Sequence, residues 1–582
     1  MSPRRGGALG RRVATVERRG RFTVAQPLFE RGPQVALARG SVDLAPGEIG
    51  LVDFAPAGAR ALRALGSADR ARDVVVALLW DRGMDRGFAP ALESEADDAA
   101  VAAREAPLAR RQLTDLATFT VDPATARDFD DAVSAEAEGD GVRLWIHIAD
   151  VAAHVRPGGG LDSEALRRGT STYVPGAVEP MLPAALSDAA CSLAPRVERL
   201  AVTAEIVLGG DGETRSASFY RSRIRSDARL DYDQLDEFFD GRAQPPTQVA
   251  RPLDLARRAA AALAAGRRVG SLEIESFEPE FAFDSDGDVT GARSVPQTEA
   301  HKLIEHLMIL TNERVAQLCV ERRIPTLYRV HEQPEPQRIA FLVEQLAALE
   351  VPTPPLPNRM SPSQAGELAG EISRAVAREA ARRGHGRDAY TSLVLRSLKQ
   401  AYYSERNLGH AGLGSSAYAH FTSPIRRYPD LVAHRALLSA IGAGEEAPDP
   451  GVVSDAGWRS SEREREAAAI ERVADRVCAS FLLGRELFES GWKRSFEGEV
   501  SGVIGAGAFV RFGGELGDVY EGLLPVRLLR EERFDLNQTE TALVGRRTGR
   551  ALRLGDPITV RVDSVDAPRG RVDLVPGGAP DG

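Results

Sequence analysis

At 582 residues, 43% hydrophobic and 27% charged, the chain is too long for a single core and too apolar to be disordered, so several folded domains are expected. A net charge of −10 excludes a uniformly basic nucleic-acid coat, although residues 1–40 carry nine arginines against Glu17 and Glu30, and polyanion binding depends on where arginines lie more than on their total. No apolar run has the length of a membrane span, and the three cysteines, Cys191, Cys319 and Cys478, lack paired spacing; no membrane partner, disulfide framework or zinc site is expected.

Arg4, Arg5, Arg11 and Arg12 fit a solvated leader and carry no functional weight; the leader lacks the apolar core of a signal peptide. From Val13 the pattern changes. Val13 to Glu17 and Arg21 to Val24 flank Gly20 as a hairpin, and short strands at Gln34 to Leu37 and Ile49 to Val52 complete the signature of a small β-barrel. Helical segments follow around Ala68 to Trp80 and Ala91 to Arg111.

The densest chemistry lies next. Asp122, Asp128, Asp130 and Asp131 place four carboxylates within ten residues, and acids this close raise one another's pKa unless a cation offsets the charge. With Asp128 to Asp130 extended, those two side chains share a face, Asp131 points the other way and Asp122 enters from a preceding strand end. Hard oxygens suit magnesium or manganese better than zinc. An EF-hand fails, because Val133 falls where its glycine belongs. A solvated acidic turn is the competing reading; the apolar run Leu144 to Ala149 argues for acids mounted on core elements.

Strands are expected around Asp122 to Ala132, Val142 to Ile148, Leu200 to Leu208 and Phe281 to Asp284, with helices at Ala300 to Cys319, 362–384 and 460–489. Strands and helices do not alternate as crossover units, so the fold class is α+β. Phe496 to Val500, Ala508 to Phe512, Glu521 to Val526 and Ile558 to Val562 are spaced like a second small barrel.

The segment Thr120 to Ala132, together with Ala417-Tyr418-Ala419-His420-Phe421-Thr422-Ser423-Pro424-Ile425-Arg426-Arg427-Tyr428-Pro429-Asp430-Leu431, resembles the two signatures of the ribonuclease II/ribonuclease R (RNB) exoribonucleases. Similar stretches lie between them at Thr172 to Pro175, Leu186 to Asp188, Ala300 to Glu305 and Tyr328 to His331. The resemblance implies a cold-shock-type OB domain and linker over 1–90, an RNB catalytic domain over 105–490 and an S1-type OB domain over 494–577. One N-terminal barrel stands where the family usually has two. The S1-like segment has Ala506 and Pro525 in place of the usual aromatic and histidine, which predicts weaker RNA binding there.

The resemblance further implies a cytoplasmic, monomeric, processive 3′ to 5′ exoribonuclease that degrades single-stranded RNA to 5′ nucleoside monophosphates with Mg²⁺, Mn²⁺ being the alternative ion. Asp122, Asp128, Asp130 and Asp131 are then the metal acids, with Asp130 indispensable and Asp131 beside it, and Arg426 meets the scissile phosphate. Tyr173 stacks on the terminal base, opposed by Phe283 or Phe281. Glu471 contacts that base, Glu305 reads the ribose, and Arg427 touches RNA or braces the turn. His331 and His420 are positional. The rival is a catalytically silent RNA-binding regulator on the same fold, marked by loss of the acids; none is lost here.

Overall fold

The computed structural model describes residues 10–577 apart from 39, 57, 85–86, 107, 268–276, 515–516 and 530–531. Arg4 and Arg5 lie outside the described residues. The N-terminal hairpin forms as expected: Gly10–Arg19 pairs with Phe22–Pro27, Arg19 facing Phe22, around Gly20 at φ 61°. Val35–Ala36, Glu48–Ala55 and Gly58–Ser67 complete a five-stranded sheet, and a parallel bridge from Leu37 to Ala59 links its two edges. The C-terminal barrel, Ser495–Ile504, Gly507–Gly514, Gly517–Pro525, Pro557–Asp566 and Arg571–Pro576, repeats that connectivity with a parallel contact at Leu523 and Asp573. A three-stranded sheet, Phe534–Leu536 with Ala542–Gly545 and Ala551–Arg553, is inserted before its fourth strand.

Between the barrels lies a seven-stranded mixed sheet. Its order is Ala228–Leu230, Phe119–Val121, Asp131–Glu138, Gly141–Ala149, Glu198–Leu208, Thr214–Arg225, Arg111–Gln112. The central strand Gly141–Ala149 is almost wholly buried, which is why it reads as a continuous apolar run. Helices Thr247–Arg267, Glu299–Arg322 and Tyr428–Ala440 share its core with Phe119, Phe129 and Ile146. The polar strand Thr214–Arg225 is not legible from its side chains, since most of its residues stay at least partly exposed.

The 41-residue helix Pro450–Ser490 starts ten residues before the expected point, capped by Asp449, which accepts from the Gly451 and Val452 N–H groups. Its second half shares a core with helix Ala71–Asp81 and with the C-terminal barrel. Helices Pro336–Ala348, Pro362–Arg383 and Arg387–Ser397 pack on the C-terminal barrel through another shared core, although the sequence groups them with the catalytic region. All three cysteines are free and buried.

Candidate active site

Asp122 to Asp130 is a pinned loop between two strands, where a strand was expected. Phe119–Val121 ends at Val121, Pro123 offers no N–H to a ladder, and the Ala126 N–H turns back to the Pro123 carbonyl at 3.0 Å. Arg229 clamps the bend by donating to the Pro123 and Ala124 carbonyls at 2.8 and 2.7 Å. At the far end the Ser192 hydroxyl donates to the Arg127 carbonyl and accepts from the Phe129 N–H, and Ala149 N–H donates to the Asp130 carbonyl. Simple alternation therefore does not govern the side chains, and Asp131, which opens the next strand, acts with its charge on both Asp122 and Asp130.

The second motif meets this loop directly. Ser423 to Arg427 forms a turn in which the Arg426 and Arg427 N–H groups point to the Ser423 carbonyl. The buried Ile425 N–H donates to Asp130 Oδ1 at 2.8 Å, and Arg426 Nε stands 3.3 Å from Asp130 Oδ2, an ion pair without hydrogen-bond alignment. Arg426 also donates to the Ser423 hydroxyl at 3.1 Å. Arg427 makes a two-pronged pair with buried Asp430, both bonds 2.8 Å, and Asp430 accepts from the Ser423 N–H. Arg427 thus braces the turn while Arg426, with 46% of its side chain exposed, faces open space in a cleft.

Tyr173 lies on Thr172–Val174, paired with Ala177–Glu179 around Gly176. Its hydroxyl donates to Asp128, and its backbone N–H donates to Glu471 Oε1 at 3.1 Å. The Ser171 N–H donates to the Arg426 carbonyl, so this hairpin is fastened to the arginine turn. Phe283 rests against Gly176, whose φ of 74° suits glycine and where a Cβ would stand 3.2 Å from the ring. Phe281 faces elsewhere, toward a crevice along the long helix. Glu305 is exposed on helix Glu299–Arg322 and accepts from Gln297 at 3.2 Å; among the described residues no hydrogen bond or ion pair links it to the acids. One turn before it, His301 stacks on Tyr232 at 4.0 Å. Burial and then the charges of Asp131 and Asp122 push the Tyr232 phenol up, which puts this ring in the field of the acids. Sequence reasoning missed Tyr232, since a lone tyrosine opening a helix carries no signal. His420 is half-buried beside the Tyr403 hydroxyl and His331 accepts from the Gly412 N–H; burial lowers both pKa values.

The cluster carries strain of charge. Burial, then the neighbouring Asp131, pushes Asp122 up to about 8; burial pushes Asp131 up to about 6 and holds Asp130 well above the carboxylate range. Asp122 Oδ2 and Asp130 Oδ2 are buried without a hydrogen-bond donor. Such orphaned hard oxygens fit a divalent cation. Among the described residues no three acids, histidines or cysteines converge enough to enclose an ion alone.

The family described as RNB domain matches residues 110–443, more than half of the chain. The chain is 35% identical to ribonuclease R of Escherichia coli over 489 residues, covering 81% of this chain and 58% of that protein. It is 35% identical to ribonuclease R of Aquifex aeolicus over 476 residues, covering 80% and 64%. The chain therefore spans less than two thirds of the length of these relatives. Mycoplasma genitalium RNase R in complex with ribose methylated single-stranded RNA superposes with a TM-score of 0.85 at 25% identity, covering 98% of this chain and 90% of that one.

Proposed function

The chain belongs to the RNB domain family, and from that membership we propose that it is a processive 3′ to 5′ exoribonuclease hydrolysing single-stranded RNA to 5′ nucleoside monophosphates with magnesium, manganese substituting. The observation that carries this reading is the joining of Asp130 to Ile425 and Arg426 while Tyr173 reaches Asp128: acids, arginine and aromatic form one constellation from three distant segments.

Asp122, Asp128, Asp130 and Asp131 would hold the cation. When bound, it supplies orientation and acidification of the attacking water and neutralisation of charge on the leaving 3′ oxygen. Arg426, exposed in the cleft and fixed at one end by Asp130 and Ser423, stabilises charge developing on the phosphate, a contribution of about 3–4 kcal/mol for one preorganised donor. Tyr173 takes the terminal base on its ring, with Glu471 fixing its backbone and Phe283 supporting the hairpin from the Gly176 side. Arg427 holds the turn. Glu305, one turn after the His301 that stacks on Tyr232, would read the ribose.

The barrels over 1–90 and 494–577 guide a single strand to the 105–490 region, and processivity follows from enclosing that strand. The protein acts as a monomer in the cytoplasm; among the described residues no helix is long and apolar enough to cross a membrane. The test is a gel time course on 5′-labelled single-stranded RNA with magnesium, beside Asp130→Asn and a magnesium-free control. Direct conversion to a very short product, abolished in both controls, is expected. Intact RNA that shifts on a native gel would give the chain to the silent RNA-binding class.

A further inference from the structure

Asp128 is gripped on two sides. The fully buried Ser192 hydroxyl donates to the Arg127 carbonyl at 2.6 Å and accepts from the Phe129 N–H at 3.2 Å, so one side chain spans Asp128 from the residue before it to the residue after it. The Leu193 N–H adds a bond to the Phe129 carbonyl at 2.9 Å, and the Phe129 ring lies 5.4 Å from the Arg229 guanidinium that clamps the start of the loop. On the other side the Tyr173 hydroxyl donates to Asp128 Oδ2.

Ser192 is itself anchored. It follows the π-helical turn Ala185–Ala190, closed by the Cys191 N–H on the Leu186 carbonyl at 2.9 Å, and Arg199 Nε donates to the Ser192 carbonyl at 2.7 Å. The Leu186 to Asp188 stretch, which the family resemblance marks without a role, thereby becomes part of the mount for Ser192. Asp128 is only half-buried and sits on a loop, where an unheld carboxylate samples several rotamers. Carboxylates that ligate metals are held by hydrogen bonds from outside the ligand set, and these two grips supply them.

We propose that Ser192 and the Tyr173 hydroxyl are positioning groups that fix Asp128 for a divalent cation, Ser192 through the backbone and Tyr173 through the carboxylate. The proposal rests on the cation-dependent exoribonuclease reading. It gives Tyr173 a task separable from base stacking, because phenylalanine keeps the ring and removes only the hydroxyl.

The test uses manganese as the probe, its binding to the full chain without RNA read from the free-ion electron paramagnetic resonance signal. Y173F and S192A should each weaken manganese binding by about 10–100-fold. Because both act on one carboxylate, the loss in the double variant should fall short of the product of the two. With cations withheld, RNA binding should be unchanged in Y173F and weakened roughly tenfold in Y173A, which also loses the ring. S192A should melt at a lower temperature as well, since the Phe129 N–H loses its acceptor. T203V controls for that: Thr203 is buried and bonded to His147 and Ser222, so the variant should melt lower yet bind manganese like wild type.

Wild-type manganese affinity in either Y173F or S192A overturns the proposal, as does an equal loss in T203V or a wild-type chain that takes up no manganese. If the wild-type chain shortens RNA with magnesium while the variants bind manganese normally, the positioning roles alone fall. If it never shortens RNA yet the losses in manganese binding appear, the exoribonuclease reading falls and the positioning roles stand.

Discussion

Asp130 accepts a hydrogen bond from the Ile425 backbone N–H at 2.8 Å, across 295 residues of chain. One carboxylate oxygen is thereby committed to holding the arginine turn and the other is left toward Arg426, so the same residue has a structural and an electrostatic task. The two can be separated. Asn in place of Asp130 keeps an acceptor for Ile425 and removes a charge that burial disfavours. Asp130→Asn is expected to melt at or above the wild-type temperature without magnesium while RNA hydrolysis falls by roughly three orders of magnitude. Asp130→Ala should lose stability as well, by about 1–3 kcal/mol, because Ile425 loses its partner. Calorimetry and a single-turnover assay on both variants check this; a D130N protein of normal activity would remove Asp130 from the chemistry.

Arg426→Lys should behave almost as badly as Arg426→Ala. The guanidinium meets Asp130 through Nε and Ser423 through a second nitrogen, leaving its fork oriented toward the cleft, and one ammonium cannot satisfy that geometry. A loss of roughly 10²–10³ in kcat with little change in affinity for long RNA is expected. Comparable losses in affinity and kcat would instead make Arg426 a general RNA-binding residue.

Magnesium should stabilise the fold without RNA. The buried acids repel one another, and a cation bound only by the native state adds about 2.7 kcal/mol at a hundred times its Kd. The melting temperature should rise with magnesium in wild type and rise less in Asp130→Asn. Identical responses would place the ion elsewhere.

Acid sensitivity has two opposing sources. Burial lowers His147 to about 3, below its usual 6.5, and lowers His154 and His434 to about 4. The unfolded chain then binds more protons between these values, so this stability is full above about 6.5 and is lost as pH falls, by about 2 kcal/mol per histidine at pH 5. Asp122 works the other way: its raised pKa of about 8 means the native acid is disfavoured when ionised, so its contribution improves as pH falls from 8 toward 3.8. Without magnesium, Asp122→Asn should therefore lose stability on acidification more steeply than wild type, as read by urea titrations at pH 7.5 and 5. Parallel curves would contradict the burial of an ionisable Asp122.

The barrels are tied by Arg569, which donates to the Leu28 carbonyl at 2.8 Å and the Pro27 carbonyl at 3.4 Å while paired with Asp566. Arg569→Ala removes this tie at about 1–2 kcal/mol. If the barrels close around RNA, the variant should leave a ladder of intermediate lengths where wild type leaves none. An unchanged product pattern would assign processivity to the central region alone.

Short-range features of the chain were legible in its residues. Gly20 between alternating strands specified a hairpin, helical spacing from Leu303 to Val315 specified a core helix, and four acids in ten residues specified a charge that needs a partner. Periodicity reports which face is buried but is silent about what covers it. The bend after Pro123, held by Arg229 from another strand, the union of Asp130 with Ile425, the placing of Tyr232 beside the acids and the parting of Phe281 from Phe283 all depend on contacts far apart in sequence. Only the order of strands in the sheet and the packing of the long helix decided those, because burial and hydrogen-bond satisfaction are settled between segments, not within them.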